Sequence, residues 1–414
     1  LDTPAGLEAR RLGAFGDFAL AYTGAPIGGG GTEGQVMMTG LFADEWQSSG
    51  TFPTRVEVDA RKIQIDNSSL ATYFGVQHLA RRAAESTLEA FLASDALEDS
   101  EKDVPVAELS NLAGYTYVFF GEGFCSGVPF SRVTEQGELE FGSPLTTTEI
   151  FEEAILRFDQ ALARAQAAVD LDLEFLARVG KARALLDLGQ FAAAASEVAS
   201  VPTDWEYLIR YSSNSDRQKN GIQQLNQEFE RWTVANAEGG NGLAYRDAFT
   251  AGDPRTPWVR TPEDDVGFDT SIPQYDELKF PEEDTDVPLA SGVEARLIEA
   301  EAALQAADVA GFEATHNALR ATIGLPPIDA DPLSAAERVS LHFEERALWL
   351  WLTGHRHGDL RRLIRQYGAT EDEVFPIGAY FKVQAGDYGD DVNLPVPFDE
   401  ENNPNFEQCL DRGA

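Results

Sequence analysis

The segment Leu333–Arg365, LSAAERVSLHFEERALWLWLTGHRHGDLRRLIR, constrains the fold more than any other part of the chain. Ser334 is followed three residues later by Glu337, which is the spacing of a capping box and predicts a helix start. Apolar residues then recur at steps of three and four, as a buried helix face requires, at Val339, Phe343, Ala347, Leu350 and Trp351. Gly354 is expected to end this helix, and a second helix begins near His355. The segment therefore predicts two packed helices joined by a tight turn.

These two helices also carry many charged side chains beside Leu and Trp. The charged residues are Glu344, Glu345, Arg346, Arg356, Asp359, Arg361 and Arg362. A buried charge without a partner strongly destabilises a fold, so these groups must be paired or must reach solvent. We predict a buried ion network of Glu344, Arg346, Asp359 and Arg361 that holds the two helices together. Its loss should unfold the protein rather than abolish a reaction.

Two stretches near the C-terminus resemble a known family. The first has ten residues at fixed spacing: Glu344, Arg346, Trp351, Gly354, His355, Arg356, Asp359, Leu360, Arg361 and Arg362. The second, Leu394–Asn405, reads LPVPFDEENNPN. Together they are similar to the signature and the usual ending of the SusD/RagB family of surface nutrient-binding lipoproteins. The resemblance implies a stack of helix pairs that carries an irregular lobe.

The order of patterns along the chain predicts one SusD-like domain over residues 1–414. A tetratricopeptide-like unit lies at Leu171–Val201, where small residues at helix contacts precede Leu-Gly-x-Phe at the turn. Such pairs cannot bury their faces alone and must stack on one another. We therefore predict a mostly helical fold with minor β structure. Its helical scaffold spans about 7–200 and 289–367, and its irregular recognition lobe spans about 204–288 plus 375–405.

Charge and hydropathy exclude several kinds of partner. The chain of 414 residues has 70 acidic and 32 basic side chains, a net charge of −38. Nucleic acid is excluded as a partner because its affinity comes from cationic contacts to phosphate. No run of 18 apolar residues is present, so no membrane-spanning helix is expected. The family resemblance implies the outer face of the outer membrane, through an N-terminal lipid-anchor cysteine that this sequence does not contain.

Cys125 and Cys409 are the two cysteines of the chain. In an exported protein they can form a long-range disulfide that holds the C-terminal tail. Two unrelated thiols remain the alternative, because spacing alone does not establish a pair.

Sugar ligands need exposed aromatic side chains flanked by polar partners. The predicted lobe is rich in both, and the early segment Ser48–Ser69, expected to be an exposed excursion, adds polar groups. For any single aromatic residue, a place in the lobe core is the competing interpretation. The predicted ligand-binding residues are Trp46, Arg55, Asp59, Tyr211, Asn220, Arg231, Trp232 and Trp258.

No metal or other cofactor is predicted. His355 and His357 stand two residues apart at a helix start, where their side chains diverge by about 200° and cannot share one ion. Oxygen ligands at Asp387, Asp390, Asp391 and Asn393, and at Glu282–Asp286, leave calcium open, but neither group has the spacing of an EF-hand.

Catalytic signatures are missing from the sequence, including G-x-S-x-G, H-E-x-x-H and the P-loop. We expect a binding protein and not an enzyme. The resemblance implies that it captures oligosaccharides for import through a SusC-like TonB-dependent transporter. A peptide-binding member of the same family and a tetratricopeptide-type scaffold for a protein partner remain alternatives. A glycan-degrading enzyme is the third, which turnover of a labelled oligosaccharide would establish.

Overall fold

The computed structural model describes residues 3–28, 31–134, 137–260, 266–406 and 408–414, and within them the fold is mostly helical, as predicted. The helices before the predicted lobe are α1 Pro4–Thr23, α2 Gln35–Phe42, α3 Pro53–Asp59, α4 Ser68–Ala93, α5 Asp99–Gly123, α6 Thr147–Ala168, α7 Leu171–Asp187 and α8 Phe191–Val198. The later helices are α9 Gly221–Gln223, α10 Tyr245–Thr250, α11 Gly292–Gln305, α12 Val309–Thr322, α13 Ala335–Trp349, α14 Arg356–Tyr367 and α15 Glu371–Val374.

The strands of the described residues are short and form antiparallel pairs. In chain order they are β1 Gly24–Ala25, β2 Thr32–Glu33, β3 Trp46–Ser48, β4 Val128–Pro129, β5 Arg132–Val133, β6 Leu139–Glu140, β7 Pro144–Leu145, β8 Glu206–Ile209, β9 Trp232–Val234, β10 Trp258–Val259, β11 Asp276–Glu277 and β12 Val287–Ser291. The pairs are β1–β2, β3–β9, β4–β7, β5–β6, β8–β12 and β10–β11. Pair β3–β9 joins the predicted lobe to the early part of the chain, whereas pair β8–β12 brings the two ends of the predicted lobe together.

The long helices α4–α7 pack side by side, with α5 in contact with α4, α6 and α7. Glycine permits the closest approach between them. A Cβ atom at Gly180 would lie 2.4 Å from the ring of Phe158, and one at Gly114 would lie 2.7 Å from the same ring. No described helix is long and apolar enough to cross a membrane.

The predicted C-terminal helix pair is present, but α13 ends at Trp349 and not at Gly354. The amide of Ser334 donates to the Glu337 carboxylate at 2.7 Å, which completes the capping box at the start of α13. The turn after α13 contains Gly354, whose φ of +74° is the left-handed conformation that glycine adopts without strain. Helix α14 then begins at Arg356.

Asp359 lies at the centre of the ion network between these helices. Its carboxylate accepts from Arg346 at 2.9 Å and from Arg362 at 2.7 Å, and all three side chains are almost completely buried. Arg362 also donates to Glu301 of α11 at 2.5 and 3.1 Å. Burial alone would raise the pKa of Asp359, but the two guanidinium groups outweigh burial and hold that pKa well below its usual value. The network therefore joins three helices.

Two predicted members of the network have other surroundings. Glu344 is exposed and makes no hydrogen bond or ion pair in the described chain, because its neighbour Glu345 faces inward instead. Glu345 accepts from Arg255 at 2.8 Å and from Arg320 at 2.5 Å. Arg361 is buried, but it donates to main-chain carbonyls at the end of α5 and pairs with no carboxylate there.

Arg356 connects the C-terminal helix pair to the lobe. It binds Asp44 through two hydrogen bonds of 2.7 Å, and Asp44 also accepts from the amide of Leu243 at 2.7 Å. Arg356 is 8 % exposed and Asp44 is 0 % exposed, so this ion pair is shielded from solvent. The pair holds residues near 44 and 243 at a fixed position on the scaffold.

The segment Ser48–Ser69 is not the exposed excursion that its composition predicts. It contains α3, and Arg55, Val58 and Asp59 of that helix are buried. The charged residues made the segment look hydrophilic, but they find partners inside the protein.

Cys125 and Cys409 form a disulfide that closes a loop with a sequence separation of 284 residues. Main-chain contacts accompany it: the amide of Cys125 donates to the carbonyl of Leu394 at 2.9 Å, and the amide of Ser126 donates to that of Asp411 at 3.0 Å. The C-terminal segment is thus fixed to the end of α5 both covalently and by hydrogen bonds.

Candidate ligand-binding site

Six of the eight predicted ligand-binding residues are inside the protein. The buried residues are Trp46, Arg55, Asp59, Tyr211, Asn220 and Trp232, of which Trp46, Asn220 and Trp232 are 0 % exposed. In this structure none of the three fully buried side chains can be reached by a ligand. Arg231 and Trp258 keep part of their surface exposed to solvent.

The burial of the two tryptophans follows from the β3–β9 pair. Trp46 lies opposite Val234, and Trp232 lies opposite Ser48. Arg55 forms an ion pair with Glu33, and its guanidinium lies 5.5 Å from the ring centroid of Trp232. This correction moves Trp46 and Trp232 from a ligand surface to the core that joins the lobe to the scaffold.

The other three buried residues make hydrogen bonds that satisfy the fold. Asp59 accepts from the amide of Ser48 at 2.6 Å and from the Tyr380 hydroxyl at 2.7 Å. Asn220 caps α9 and donates to the carbonyl of Thr285 at 2.9 Å. Tyr211 donates to the carbonyl of Ala19 at 3.2 Å. Their polar groups are used internally and are not presented to solvent.

Arg231 lies at the centre of the first partly exposed cluster on the lobe. Its guanidinium lies 3.9 Å from the ring centroid of Phe268 and 4.7 Å from that of Phe52. Phe268 is 49 % exposed, which is unusual for so large an apolar side chain. Burial, and next the charge of Arg55, lower the pKa of Arg231 from its ordinary value. We call Phe52, Arg231 and Phe268 the phenylalanine cluster.

Trp258 belongs to a second cluster, which we call the tryptophan cluster and which consists of Arg246, Trp258 and Tyr275. The Trp258 and Tyr275 rings meet edge to face, with centroids 5.3 Å apart. Arg246 stacks on Tyr275 with its guanidinium 3.6 Å from the ring centroid, and its carbonyl accepts a hydrogen bond of 3.0 Å from the Trp258 indole. All three side chains are half-buried, so each ring has one side supported and part of its surface open.

The two clusters are connected by residues 266–275, which carry both Phe268 and Tyr275. Residues 266–273 fold back in a turn, and Pro273–Tyr275 then runs beside β9: the amide of Val234 donates to the carbonyl of Tyr275 at 3.1 Å, and the Thr233 hydroxyl donates to that of Pro273 at 3.1 Å. Sequence reasoning missed Phe52, Arg246, Phe268 and Tyr275. No local pattern marks them, because their exposure depends on strands that pair across the chain.

A pair of buried carboxyl groups, Asp59 and Glu238, lies beneath this part of the lobe. The two groups are within hydrogen-bonding reach of each other, and Tyr388 donates to Glu238 at 2.7 Å. The remaining oxygens, Oδ1 of Asp59 and Oε2 of Glu238, have no other hydrogen-bond partner. Burial raises the pKa of Asp59 to about 6, and burial together with the charge of Asp59 raises the pKa of Glu238. One proton shared by the pair satisfies both oxygens.

Glu238→Gln is expected to stabilise the protein at pH 8 by about 1–3 kcal/mol and to change its stability less at pH 5. Unfolded carboxyl groups have pKa values near 4, whereas the folded pair holds its proton to higher pH. The folded state therefore binds more protons between about pH 4 and 6, and stability falls as pH rises through this window. Glutamine supplies the same donor at every pH. Thermal melts at both pH values measure the effect. Equal changes in melting temperature at pH 5 and pH 8 would contradict the shared proton. Glu152→Gln, at an exposed site, is the control.

Metal-binding groups are not assembled in the described chain, where no cluster of three His, Cys, Asp or Glu side chains is placed around one point. His355 contacts Thr353 and Arg183, each at 2.9 Å, and His357 contacts the carbonyl of Val392 at 3.0 Å. Of the calcium candidates, Asp391 accepts from the amide of Ile63 at 2.8 Å. The side chains of His355, His357 and Asp391 therefore make hydrogen bonds to other groups of the protein.

Comparisons with known proteins identify the fold. The sequence matches no family model and no curated protein. Among solved structures, a SusD-like protein from Bacteroides fragilis matches with a TM-score of 0.71 and 14% identity, over 99% of this chain and 97% of the other. A SusD superfamily protein from Parabacteroides distasonis matches with a TM-score of 0.71 and 12% identity, over 98% of each chain.

The chain therefore has the SusD-like fold over almost its whole length, which confirms the resemblance found in the sequence. Another structure with this fold is a SusD-like carbohydrate binding protein from Bacteroides fragilis. It has a TM-score of 0.69 and 15% identity, over 97% of this chain and 99% of the other.

Proposed function

We propose that this protein is a SusD-family carbohydrate-binding protein that captures oligosaccharides through the two clusters on its lobe. The observation that carries the proposal is the supported, partly open pair of Trp258 and Tyr275 on a SusD-like scaffold. Sugar rings present flat apolar faces that pack on aromatic rings, and their hydroxyl groups bond to flanking polar side chains. In this proposal, a scaffold of residues 7–200 and 289–367 holds the recognition lobe in place, which is supported by Asp44, since it binds Arg356 and accepts from the amide of Leu243.

The proposed role is binding without catalysis. Structures that share the fold are described as a SusD-like carbohydrate binding protein and as a sugar binding protein, which supports this role. In the proposed pathway the protein lies on the outer face of the outer membrane, held by a lipid anchor. It passes the oligosaccharide to a SusC-like TonB-dependent transporter. Co-purification of the two proteins from native membranes tests the partnership.

Trp258→Ala is expected to weaken oligosaccharide binding by about tenfold, which corresponds to about 1.4 kcal/mol. The variant removes the ring that Tyr275 and the main chain of Arg246 hold in position. The measurement is isothermal titration with oligosaccharides selected on a glycan array. Thermal melts check that the fold is retained.

Trp205→Ala is the matched control, because Trp205 is also half-buried but packs on Phe175 of α7, outside both clusters. Equal loss of affinity in both variants would contradict a site at the tryptophan cluster. Failure of every array glycan to bind would contradict the carbohydrate-binding function itself.

A further inference from the structure

Arg231 and Arg246 differ from most other arginines of the described chain because no carboxylate pairs with them. Most other guanidinium groups of the described chain pair with a carboxylate, and several more, such as that of Arg361, donate to main-chain carbonyls. Arg255, for example, contacts Asp253 at 2.6 Å and Glu345 at 2.8 Å. Beside the phenylalanine cluster, Asp269 is paired with Lys382 at 2.6 Å and not with Arg231. With 70 acidic residues in the sequence, two unpaired guanidinium groups on one lobe need a reason.

Both guanidinium groups are held by their flat faces. Arg231 lies over Phe268 and Phe52, and Arg246 lies over Tyr275. Stacking of this kind fixes the plane of the group and leaves the N–H donors at its edge available. Nη1 of Arg231 and Nε of Arg246 are buried, so the donors open to a ligand are the remaining guanidinium nitrogens of these half-buried side chains, for which the described chain supplies no acceptor. Donors fixed in one plane suit the two oxygens of a carboxylate or sulfate.

The two arginines are also in the proposed sugar site. Each stacks on a ring carried by residues 266–275, so a ligand that reaches both clusters would meet an aromatic side chain and a stacked cation at each. A neutral sugar would leave both charges without a partner. A negatively charged sugar would supply acceptors for both guanidinium groups. Removing one partner of a hydrogen bond to a charged group typically weakens binding several-fold to a hundredfold.

We propose that the ligand is an anionic oligosaccharide, whose carboxylate or sulfate groups are bound by Arg231 and Arg246. This inference rests on the proposed function, since it assigns the chemical class of the sugar at the same site.

The test is a binding panel in which each acidic oligosaccharide is paired with its own neutral counterpart. Uronic-acid oligosaccharides are compared with carboxyl-reduced forms, and sulfated oligosaccharides with desulfated forms, by isothermal titration at constant ionic strength. We expect at least one acidic member to bind about tenfold or more tightly than its counterpart. The uronate and sulfate arms distinguish the two sources of negative charge.

Variants then assign the preference to the two arginines. Arg231→Gln and Arg246→Gln should each reduce the ratio of acidic to neutral affinity, and the double variant should bring it close to one. Arg→Lys at these positions should restore only part of the ratio, because an ammonium group lacks the planar pair of donors. Arg82→Gln is the control, since Arg82 is exposed on α4, far along the chain from the lobe, and also has no carboxylate partner.

Three results would overturn the inference. If neutral oligosaccharides bind as tightly as their acidic counterparts, the sugar-binding function stands and the anionic class is wrong. If an acidic preference exists but survives the double variant, other residues bind the charge. If no oligosaccharide of either kind binds, the proposed function falls and this inference falls with it.

Discussion

Replacing Asp359 by alanine is expected to lower the free energy of unfolding by about 3–5 kcal/mol. The substitution leaves Arg346 and Arg362 buried without the carboxylate that lies between them. Removing one partner of a buried ion pair is more harmful than removing the pair, because the remaining charge stays desolvated. Arg362 keeps its ion pair with Glu301, so Arg346 loses more of its compensating negative charge than Arg362 does.

Urea denaturation at pH 7 measures this loss, and Glu344→Ala is the matched control because that side chain is exposed on α13, the other helix of the pair. The pH dependence gives a second readout. The pKa of Asp359 is lowered in the folded state, so its contribution is present above the unfolded pKa near 4 and is lost as pH falls below that value. The difference in the free energy of unfolding between wild type and variant should therefore become smaller at acidic pH. An unchanged denaturation midpoint in Asp359→Ala would contradict a stabilising network.

Replacing Trp232 by alanine is expected to cost about 3–5 kcal/mol of stability, the range for large-to-small changes at buried aromatic residues. Trp232 is 0 % exposed and pairs through β9 with Ser48 of β3. The cavity would open where the lobe meets the scaffold, beside the guanidinium of Arg55. We therefore expect loss of the lobe fold, and any loss of binding would be a consequence of it.

Paired melting and titration experiments separate the two effects, with the half-buried Trp258→Ala as the comparison. Trp232→Ala should melt at a clearly lower temperature, whereas Trp258→Ala should mainly lose affinity. A Trp232→Ala variant with unchanged stability and lost affinity would return this residue to the ligand surface.

Helices were predicted well from sequence because their signals are local. The capping box at Ser334 and Glu337 forms as predicted, and Gly354 lies in the turn between the helices, but α13 ends at Trp349, so Leu350 and Trp351 of the predicted stripe lie beyond it. The resemblance to the family pattern extended the prediction from this helix pair to the whole fold. The sequence did not show which partners the buried charged residues have. Neighbours such as Glu344 and Glu345 have equivalent chemistry, and only packing decides which of them faces inward.

The candidate site was harder to predict because burial in the lobe depends on distant pairing. Trp46 and Trp232 look like good sugar-stacking residues in sequence, yet β3 and β9 bring them together as core. Phe268 and Tyr275 become partly exposed through the same arrangement. Composition predicts a lobe rich in aromatic residues, but it cannot separate rings that pack in the interior from rings that face solvent.

The bond between Cys125 and Cys409 also determines how the protein should respond to a protease. A single cut in any surface loop between these positions would leave two pieces joined through sulfur. On a denaturing gel the nicked protein should run as one band until a thiol reductant is added, and then separate into fragments. Protein made in a reducing cytosol would lack this protection.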